Sequence, residues 1–429
     1  MRLLVLCPHF TPDLHAATGE VMSGLVEAFA ARGHEVDVVT SLPWYRRHDV
    51  EPEWRGRPWR IEATPWGRVA RVWPFPTRKT NVVGRAMGFV GFSSLVTATA
   101  LRLGRPDAVL AMSPPFFLGD AGWVVARRWG VPLVYNVQDI FPDVAIELGA
   151  LTNPAAIAAA RAHERALYRR ADAVTVLSED QAANVAAKIG PAGEKRVHVI
   201  PNVVDLSRIE VGPRRNPYRD RHGFGAETIV MYSGNVGLSQ PFELVAIAAR
   251  ALAGRTDVRF VINGEGAARP DVDLWAAPMD NVSVVDFAPR HEVSDVLAAG
   301  DIHLILLRSG LSRSSTPSKL YASLASGRPI LASIDEGSDV ATTVKQAGAG
   351  VAVAPDDPVA FIDALTSLLD HPAERQAMGG QARRFAETWL SPEHQAARYE
   401  DLFDQLLRST NRRAPNGTIE TMTSERTTP

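Results

Sequence analysis

The chain of 429 residues carries 46 Lys+Arg against 48 Asp+Glu, 46% hydrophobic residues and one cysteine, Cys7. Its length is too great for one compact core and implies two domains of about 200 residues each. A single thiol excludes an intrachain disulfide framework and a multi-cysteine zinc site, and a net charge of −2 gives no global reason to expect nucleic-acid binding.

The opening MRLLVLCPHF is too short for the apolar region of a signal peptide, and no small-residue cleavage site follows it. Leu3 to Leu6 reads as a parallel strand buried on both faces. A loop, CPHFTPDLHAATGE, leads into a helical pattern in which Val21, Leu25, Val26, Phe29 and Ala30 share a face, and Gly33 supplies the stop. Val36, Val38 and Val39 form the next strand and complete a βαβ unit. Residues 44–105 read as a basic, Trp-rich insertion ending in an apolar helix. Its uncharged stretch from Ala86 to Leu101 has sixteen residues, fewer than the roughly 20 a spanning helix needs, so a buried or interfacial helix is expected. Strand patterns recur at Ala108–Ala111, Leu133–Val137 and Ala173–Leu177.

After residue 206 the rhythm restarts. Residues 207–226, rich in Arg and Pro, read as a linker. Strands follow at Ile229–Tyr232, Phe260–Ile262, Val282–Val285, Ile302–Leu306 and Pro329–Ala332, with helices such as Val293–Ala299 and Lys319–Ala325 between them. Strands alternating with helices imply an α/β protein of two Rossmann-like, doubly wound domains, 1–206 and 227–388, facing a central cleft. A helix over 389–408 is expected to return to the N-terminal domain. The tail 409–429 has no apolar periodicity and is expected to be disordered.

Open α/β sheets bind ligands at the carboxyl ends of their strands. A nicotinamide cofactor is disfavoured, because the loop from Cys7 to Pro12 has no glycine where the G-x-G-x-x-G fingerprint would stand. Asn263-Gly264-Glu265-Gly266 reads as a tight turn. The strongest constellation is Ser314 to Ala332, SSTPSKLYASLASGRPILA. It combines a Ser/Thr cap, Pro317 in the first turn, a stop at Gly327 and a following strand. Amides at Thr316, Ser318 and Lys319, together with the Lys319 ammonium, would form an anion site. An ordinary capped helix fits the same spacing.

Several segments together resemble the GT-B glycosyltransferases of family 4, especially the WbuB/WcaI-like branch. They are Gly33-His34-Glu35-Val36, Asp139-Ile140-Phe141-Pro142-Asp143, Ile200-Pro201-Asn202-Val203-Val204-Asp205, Tyr232-Ser233-Gly234-Asn235-Val236-Gly237, Pro317-Ser318-Lys319 and Ala325-x-Gly327-Arg328-Pro329. The resemblance spans residues 1–405. It implies retaining transfer of a sugar from a nucleotide-sugar, bound by the C-terminal domain, to an acceptor hydroxyl on the N-terminal one. A departing nucleoside diphosphate would be stabilised by basic side chains and helix dipoles instead of a metal. The resemblance assigns Lys319, Thr316, Pro317 and Ser318 to the diphosphate, with Arg308 and Arg313 as further candidates. It assigns donor approach to Gly234, Asn235, Gly237 and Gly19.

Asp139, Gln138 and Lys319 are the expected catalytic group. His9, Asp13, His15 and Asp143 are the expected acceptor contacts, although Asp139 serves equally as a helix N-cap and a loop histidine is often a capping residue. Three departures from the family stand out. Its two glutamates fall at Ser314 and Ala322, its basic pair falls near Asn235 and Gln240, and its histidine falls at Gln138. Asp271-Val272-Asp273 has the Asp-x-Asp form of metal-dependent GT-A enzymes but follows Arg269-Pro270 in an expected loop, so no metal and no cofactor is expected.

The near-zero charge is a cancellation. Residues 46–105 alone hold 12 basic and 4 acidic residues, among Trp44, Trp54, Trp59, Trp66 and Trp73. Arg and Trp at this density suit an anionic membrane surface, and a solvated hairpin packed by its own aromatics suits the same composition. The expectation is a cytoplasmic glycosyltransferase of hexosyl or N-acetylhexosaminyl type, peripheral on the inner face of the membrane. Its acceptor would be a lipid-linked saccharide or other cell-envelope glycan precursor, and no nucleic acid is expected as partner. A nucleotide-sugar epimerase of the same fold and a non-catalytic nucleotide- or glycan-binding descendant are the alternatives.

Overall fold

The computed structural model describes residues 1–14, 17–47, 49–77, 82–202, 204, 206–312 and 319–413. Among these residues, fourteen strands form two sheets. The first contains β1 (Arg2–Leu6), β2 (Glu35–Ser41), β3 (Trp59–Thr64), β4 (Gly67–Val72), β5 (Ala108–Ser113), β6 (Leu133–Val137), β7 (Ala173–Val176) and β8 (Val197–Val199), in the order β3-β4-β2-β1-β5-β6-β7-β8. The second contains β9 (Thr228–Ser233), β10 (Val258–Asn263), β11 (Val282–Val285), β12 (Ile302–Leu306), β13 (Ile330–Ser333) and β14 (Gly350–Val353), in the order β11-β10-β9-β12-β13-β14. Every pairing is parallel except β3 with β4. The strand order reverses beside β1 and beside β9. These are the switch points where a crevice opens, and the loops that leave them carry most of the expected site.

Burial explains the strand chemistry. Leu3 pairs with Val36 on one side and Ala108 on the other, and Leu3 to Leu6 are buried on both faces between helical layers. Helices α1 (Ala17–Ala31), α2 (Val82–Arg102) and α3 (Phe117–Trp129) follow β1, β4 and β5. Residues expected as an insertion are part of this framework: β4 pairs with β2, and Phe92, Val96 and Ala100 of α2 enter the core. The expected linker is also folded in part. Asn216 caps a short helix, Pro217–His222, whose Tyr218 packs beneath β9 with Ile229 and Met231. Arg219 of that helix, 1% exposed, reaches the Asp301 carboxylate at 2.6 Å and the Ala299 carbonyl at 2.7 Å. Asp271-Val272-Asp273 lies in the helix Arg269–Ala276, where Asp273 pairs with Arg269; the expected loop is not there.

The last helix, Pro392–Arg413, runs past the expected end at 408 and returns to the first domain. Ala396, Tyr399, Leu402 and Phe403 lie on one face and pack with Val26 and Phe29 of α1. Arg32 pairs with Glu400 beside that face. A second contact joins the domains at the mouth of the cleft. The Asp180 amide donates to the Asp339 carboxylate at 3.0 Å, and the Asp339 amide donates back to Asp180 at 2.8 Å. Asp180 sits in the first turn after β7 and Asp339 in the first turn after β13, so the carboxyl edges of the two sheets face each other here.

Candidate active site

On the C-terminal sheet, Lys319 opens the helix Lys319–Ala325 beyond β12 and lies across the turn after β9. A Cβ built on Gly234 would stand 3.0 Å from the Lys319 Cε, so glycine makes room for the lysine stem. The Lys319 Nζ lies 4.7 Å from the centre of the Tyr232 ring, a cation–π arrangement. Among the described residues no carboxylate is paired with it, and burial pushes its ammonium down to about 8. A partly desolvated cation without a counter-charge is a ready site for a phosphate group.

The Gly234–Gly237 turn is backed by the Asn263–Gly266 turn, a tight turn as its sequence suggests. Gly234 N–H donates to the Asn263 carbonyl at 2.9 Å, and Val236 N–H donates to Glu265 at 2.8 Å. A Cβ on Gly264 would stand 1.9 Å from the Gly234 carbonyl oxygen, a contact only glycine permits. The signal was present in the Gly-x-Gly spacing but has meaning only once β9 and β10 are adjacent. Gly237 N–H donates to the Gln240 Oε1 at 3.0 Å, and Tyr232 Oη donates to the Asn235 carbonyl at 2.6 Å, so the turn is held from within. Arg308 braces it from outside through the Leu238 carbonyl at 2.9 Å and both oxygens of Glu243. Its charge is therefore already matched, unlike that of Lys319. Asp335 accepts from the Gly310 amide at 3.0 Å and the Ser312 hydroxyl at 2.8 Å, fixing the loop that leads toward Lys319. Thr316, Pro317 and Ser318, with Arg313 and Ser314, lie outside the described residues. Ala322 is described and offers no carboxylate.

On the N-terminal sheet, the loop after β1 brings His9 and Asp13 together at 3.0 Å. Asp13 also accepts from the amides of Trp44 and Tyr45 at 3.2 and 3.3 Å. Burial raises the Asp13 carboxyl, but the His9 hydrogen bond and charge and these two amides outweigh it and hold the group below its usual range. The His9 ring lies 5.7 Å from that of Trp44 and 5.1 Å from that of Tyr45. Gly19 packs against the same loop. A Cβ there would strike the Asp13 carbonyl oxygen at 2.3 Å, so this glycine accommodates the chain's own loop. His15 lies outside the described residues.

Gln138 and Asp143 are engaged structurally. Gln138 Nε2 donates to Asn136 at 2.7 Å and its Oε1 accepts from Asn202 at 2.7 Å, which leaves it a buried strut with no proton to exchange. Asp143 accepts from the Lys188 ammonium at 2.7 Å and the Asn184 amide at 3.2 Å. Asp139 is half-buried just past β6. It is not a helix N-cap, since the helix Asp143–Glu147 begins after Pro142.

The Trp- and Arg-rich segment is largely satisfied by itself. Arg46 and Arg47 hold Glu51 at 3.0 and 3.2 Å, Arg68 holds Asp37 at 2.7 Å, and Arg71 holds Glu62 at 2.9 Å. Arg60 and Arg71 cover the Trp54 ring, Trp66 packs on Phe10, and of the five tryptophans only Trp59 is open to solvent, at 49%. Exposed apolar surface lies instead on α2, at Met87, Val90 and Leu95. Among the described residues no helix is long and apolar enough to cross a membrane.

Two family models match the chain: Glycosyl transferase 4-like domain over residues 17–203 and Glycosyl transferases group 1 over residues 227–371. WcaI of Escherichia coli (strain K12), a glycosyl transferase assigned to colanic acid biosynthesis, is 26% identical over 92% of this chain and 97% of its own. A D-inositol 3-phosphate glycosyltransferase of Kineococcus radiotolerans is 28% identical over 90% and 91%. Among solved structures, sucrose-phosphate synthase from Thermosynechococcus elongatus superposes with a TM-score of 0.75 at 18% identity, covering 95% of this chain and all (100%) of that one. Anabaena HepE in complex with UDP-glucose gives 0.67 at 14% identity, over 95% and 100%. With both family models matched in order on two facing α/β domains, the chain belongs to the family 4-like glycosyltransferases of GT-B fold.

Proposed function

We propose that the protein transfers a sugar, with retention, from a nucleotide-sugar to a lipid-linked saccharide or related cell-envelope glycan precursor, working at the inner face of a membrane. The observation that carries this reading is the Lys319 ammonium, set against the Gly234 turn at the switch point of the second sheet with no carboxylate paired to it among the described residues. In this reading Lys319 stabilises the negative charge that develops on the departing diphosphate. Gly234 and Gly237 let the donor approach the backbone, and Arg308 keeps that turn in place through Glu243. His9, Asp13 and Asp139 line the acceptor side. The retaining outcome rests on the family resemblance, and the glycan class on the likeness to WcaI. The exposed apolar residues of α2 supply the membrane-facing surface.

A binding-only descendant is favoured by one observation, the absence of a carboxylate at Ala322. A thermal-shift screen against nucleoside diphosphates and their sugars, followed by turnover with labelled donor, separates the two. Stabilisation by one diphosphate with transfer to an extracted lipid-linked acceptor is the expected result. Stabilisation without turnover over any acceptor supports the binding-only reading, and consumption of donor without acceptor supports an epimerase. No stabilisation by any nucleotide would sink the proposal.

A further inference from the structure

One helix of the N-terminal domain touches both the C-terminal domain and the segment just past β6. The helix Glu179–Ile189 is seated on the core by Val185 and Ile189, and Ser178 caps its start. Its neighbouring face presents Asp180, Asn184 and Lys188, spaced at i, i+4 and i+8 and so aligned along one side. All three are engaged with other elements. Asp180 and Asp339 of the C-terminal domain exchange amide-to-carboxylate hydrogen bonds at 3.0 and 2.8 Å. Asn184 and Lys188 both donate to Asp143, at 3.2 and 2.7 Å. We propose that this face positions the segment 139–143 relative to the C-terminal domain, with Lys188 and Asn184 as the positioning residues. The acceptor-side role of that segment rests on the function proposed above.

The segment is held differently along its length. Ile140 is fully buried and the Phe141 ring lies 4.9 Å from that of Phe116, which fixes the first half on the core. The short helix Asp143–Glu147 that follows has no buried residue. Its start is therefore placed by the polar hold on Asp143 more than by apolar packing. Lys188 is itself fixed from behind. Glu164, 2% exposed, accepts from its ammonium at 2.6 Å and from the Tyr168 hydroxyl at 2.9 Å. A lysine bridging two carboxylates at these distances leaves little slack, so a shift of its helix carries Asp143 with it.

At the other end, Asp339 opens a helix whose Val340 and Val344 pack in one cluster with Leu320 and Tyr321, the residues that follow Lys319. The Asp180–Asp339 contact thus follows the packing unit that carries Lys319, and the Lys188–Asp143 contact passes that position to the segment past β6. A second route runs in parallel. Leu148, just beyond the short helix, packs against the same C-terminal cluster. The two routes differ in what breaks them, because the first passes through Asp143 and the second does not.

Hydrogen exchange of the full chain, without ligand, reads the link at the amides of Ile146 and Leu148, which donate to Pro142 and Val144. Asp339→Ala leaves Ser338 capping its own helix and is expected to speed exchange there about ten-fold, the effect of one lost charge-assisted hydrogen bond. Asp143→Ala leaves Lys188 paired with Glu164 and is expected to do the same. The double variant is expected to match Asp143→Ala alone, because both changes act through one helix. Asp143→Asn keeps an acceptor oxygen for Lys188 and is expected to retain slow exchange. Unchanged exchange in Asp339→Ala overturns the proposal. Effects that multiply in the double variant also overturn it and assign the link to Leu148. With an extracted lipid-linked acceptor, Asp143→Ala is expected to raise the acceptor KM about ten-fold while kcat and nucleotide-induced stabilisation stay as in wild type. An acceptor KM equal to that of wild type overturns the positioning role. The exchange measurement needs no substrate, so its failure removes the link and leaves the transferase reading standing. Absence of transfer to any acceptor, with the exchange pattern intact, removes that reading alone.

Discussion

The rims of the two sheets hold their polar groups in opposite ways. On the N-terminal rim, His9 is matched to Asp13, Gln138 to Asn136 and Asn202, and Asp143 to Lys188. On the C-terminal rim the turns Gly234–Gly237 and Asn263–Gly266 press backbone against backbone, and among the described residues Lys319 lies over them with only an aromatic face as partner. The first rim is a frame complete before any ligand arrives. The second carries a charge whose burial is uncompensated, and an anionic ligand would restore the balance. Under the proposed function, a ligand would gain most of its electrostatic stabilisation from the second domain and its orientation from the first.

The strongest way to break that contrast is to remove the uncompensated charge. Lys319→Ala is expected to lower transfer by about 10²–10³-fold, the range for losing one preorganised charge stabiliser. Lys319→Arg is not expected to restore it, because a planar guanidinium does not fit between Gly234 and the Tyr232 ring as a point charge does. Single-turnover kinetics with labelled donor check both, and unchanged rates would mean the charge is met elsewhere. Next in size is Gly264→Ala. Its methyl would meet the Gly234 carbonyl at 1.9 Å, so a loss of about 3 kcal/mol is expected in urea unfolding of the C-terminal domain. A tolerated alanine would show that the paired turns are not the rigid floor described above.

Acidity separates the rims by sign. The Lys319 ammonium, pushed down to about 8 by burial, binds an anion only when protonated. Diphosphate affinity should therefore be full below that value and fall about ten-fold per pH unit above it, measurable by calorimetry. Asp13 acts on stability instead. Its carboxyl is held below the usual range, so it contributes stability that is present above the unfolded value and lost as pH falls through the folded one. Asp13→Asn should remove that acid limb and cost about 1–2 kcal/mol, because two amides and His9 lose a charged acceptor.

The strand pattern and the two-domain division were legible because buried parallel strands are continuous apolar runs, as in Leu3–Leu6 and Ile302–Leu306. Lys319 and the Gly234 turn were legible too, since cation and glycine types report their chemistry directly. What escaped the sequence was pairing. The Asn263–Gly266 turn gains meaning from β10 lying beside β9, and Gly19 from the Asp13 carbonyl folding over it. The polar network of Gln138 with Asn136 and Asn202, and of Asp143 with Lys188, is likewise invisible in sequence, because its partners come from distant segments. The short helix within the expected linker escapes the sequence for a similar reason. Arg and Pro density signals exposure, yet Arg219 is buried by the nearby carbonyls of Gly225 and Glu227 and by the Ala299 carbonyl and Asp301 carboxylate from far along the chain.

The smallest expected effect tests whether the returning helix belongs to the frame. Tyr399 Oη accepts from the Asn136 amide at 2.9 Å and lies 3.2 Å from the Thr175 hydroxyl, while Asn136 in turn accepts from Gln138. Tyr399→Phe keeps the ring beside Phe29 and Phe403, whose centres are 6.1 and 6.2 Å away. Asn136 also keeps a partner, because its amide reaches Thr175 at 3.1 Å. The loss should then be that of the hydroxyl's two hydrogen bonds, with Asn136 and Thr175 still bonded to each other, about 1 kcal/mol net, or roughly 2–4 °C in the melting of a domain this size. If the helix is part of the N-terminal frame, that shift falls on the N-terminal transition and nucleotide affinity stays as in wild type. If it falls equally on both domains, or changes nucleotide affinity, the helix couples the rims and the division between a completed frame and an open charge site is too sharp.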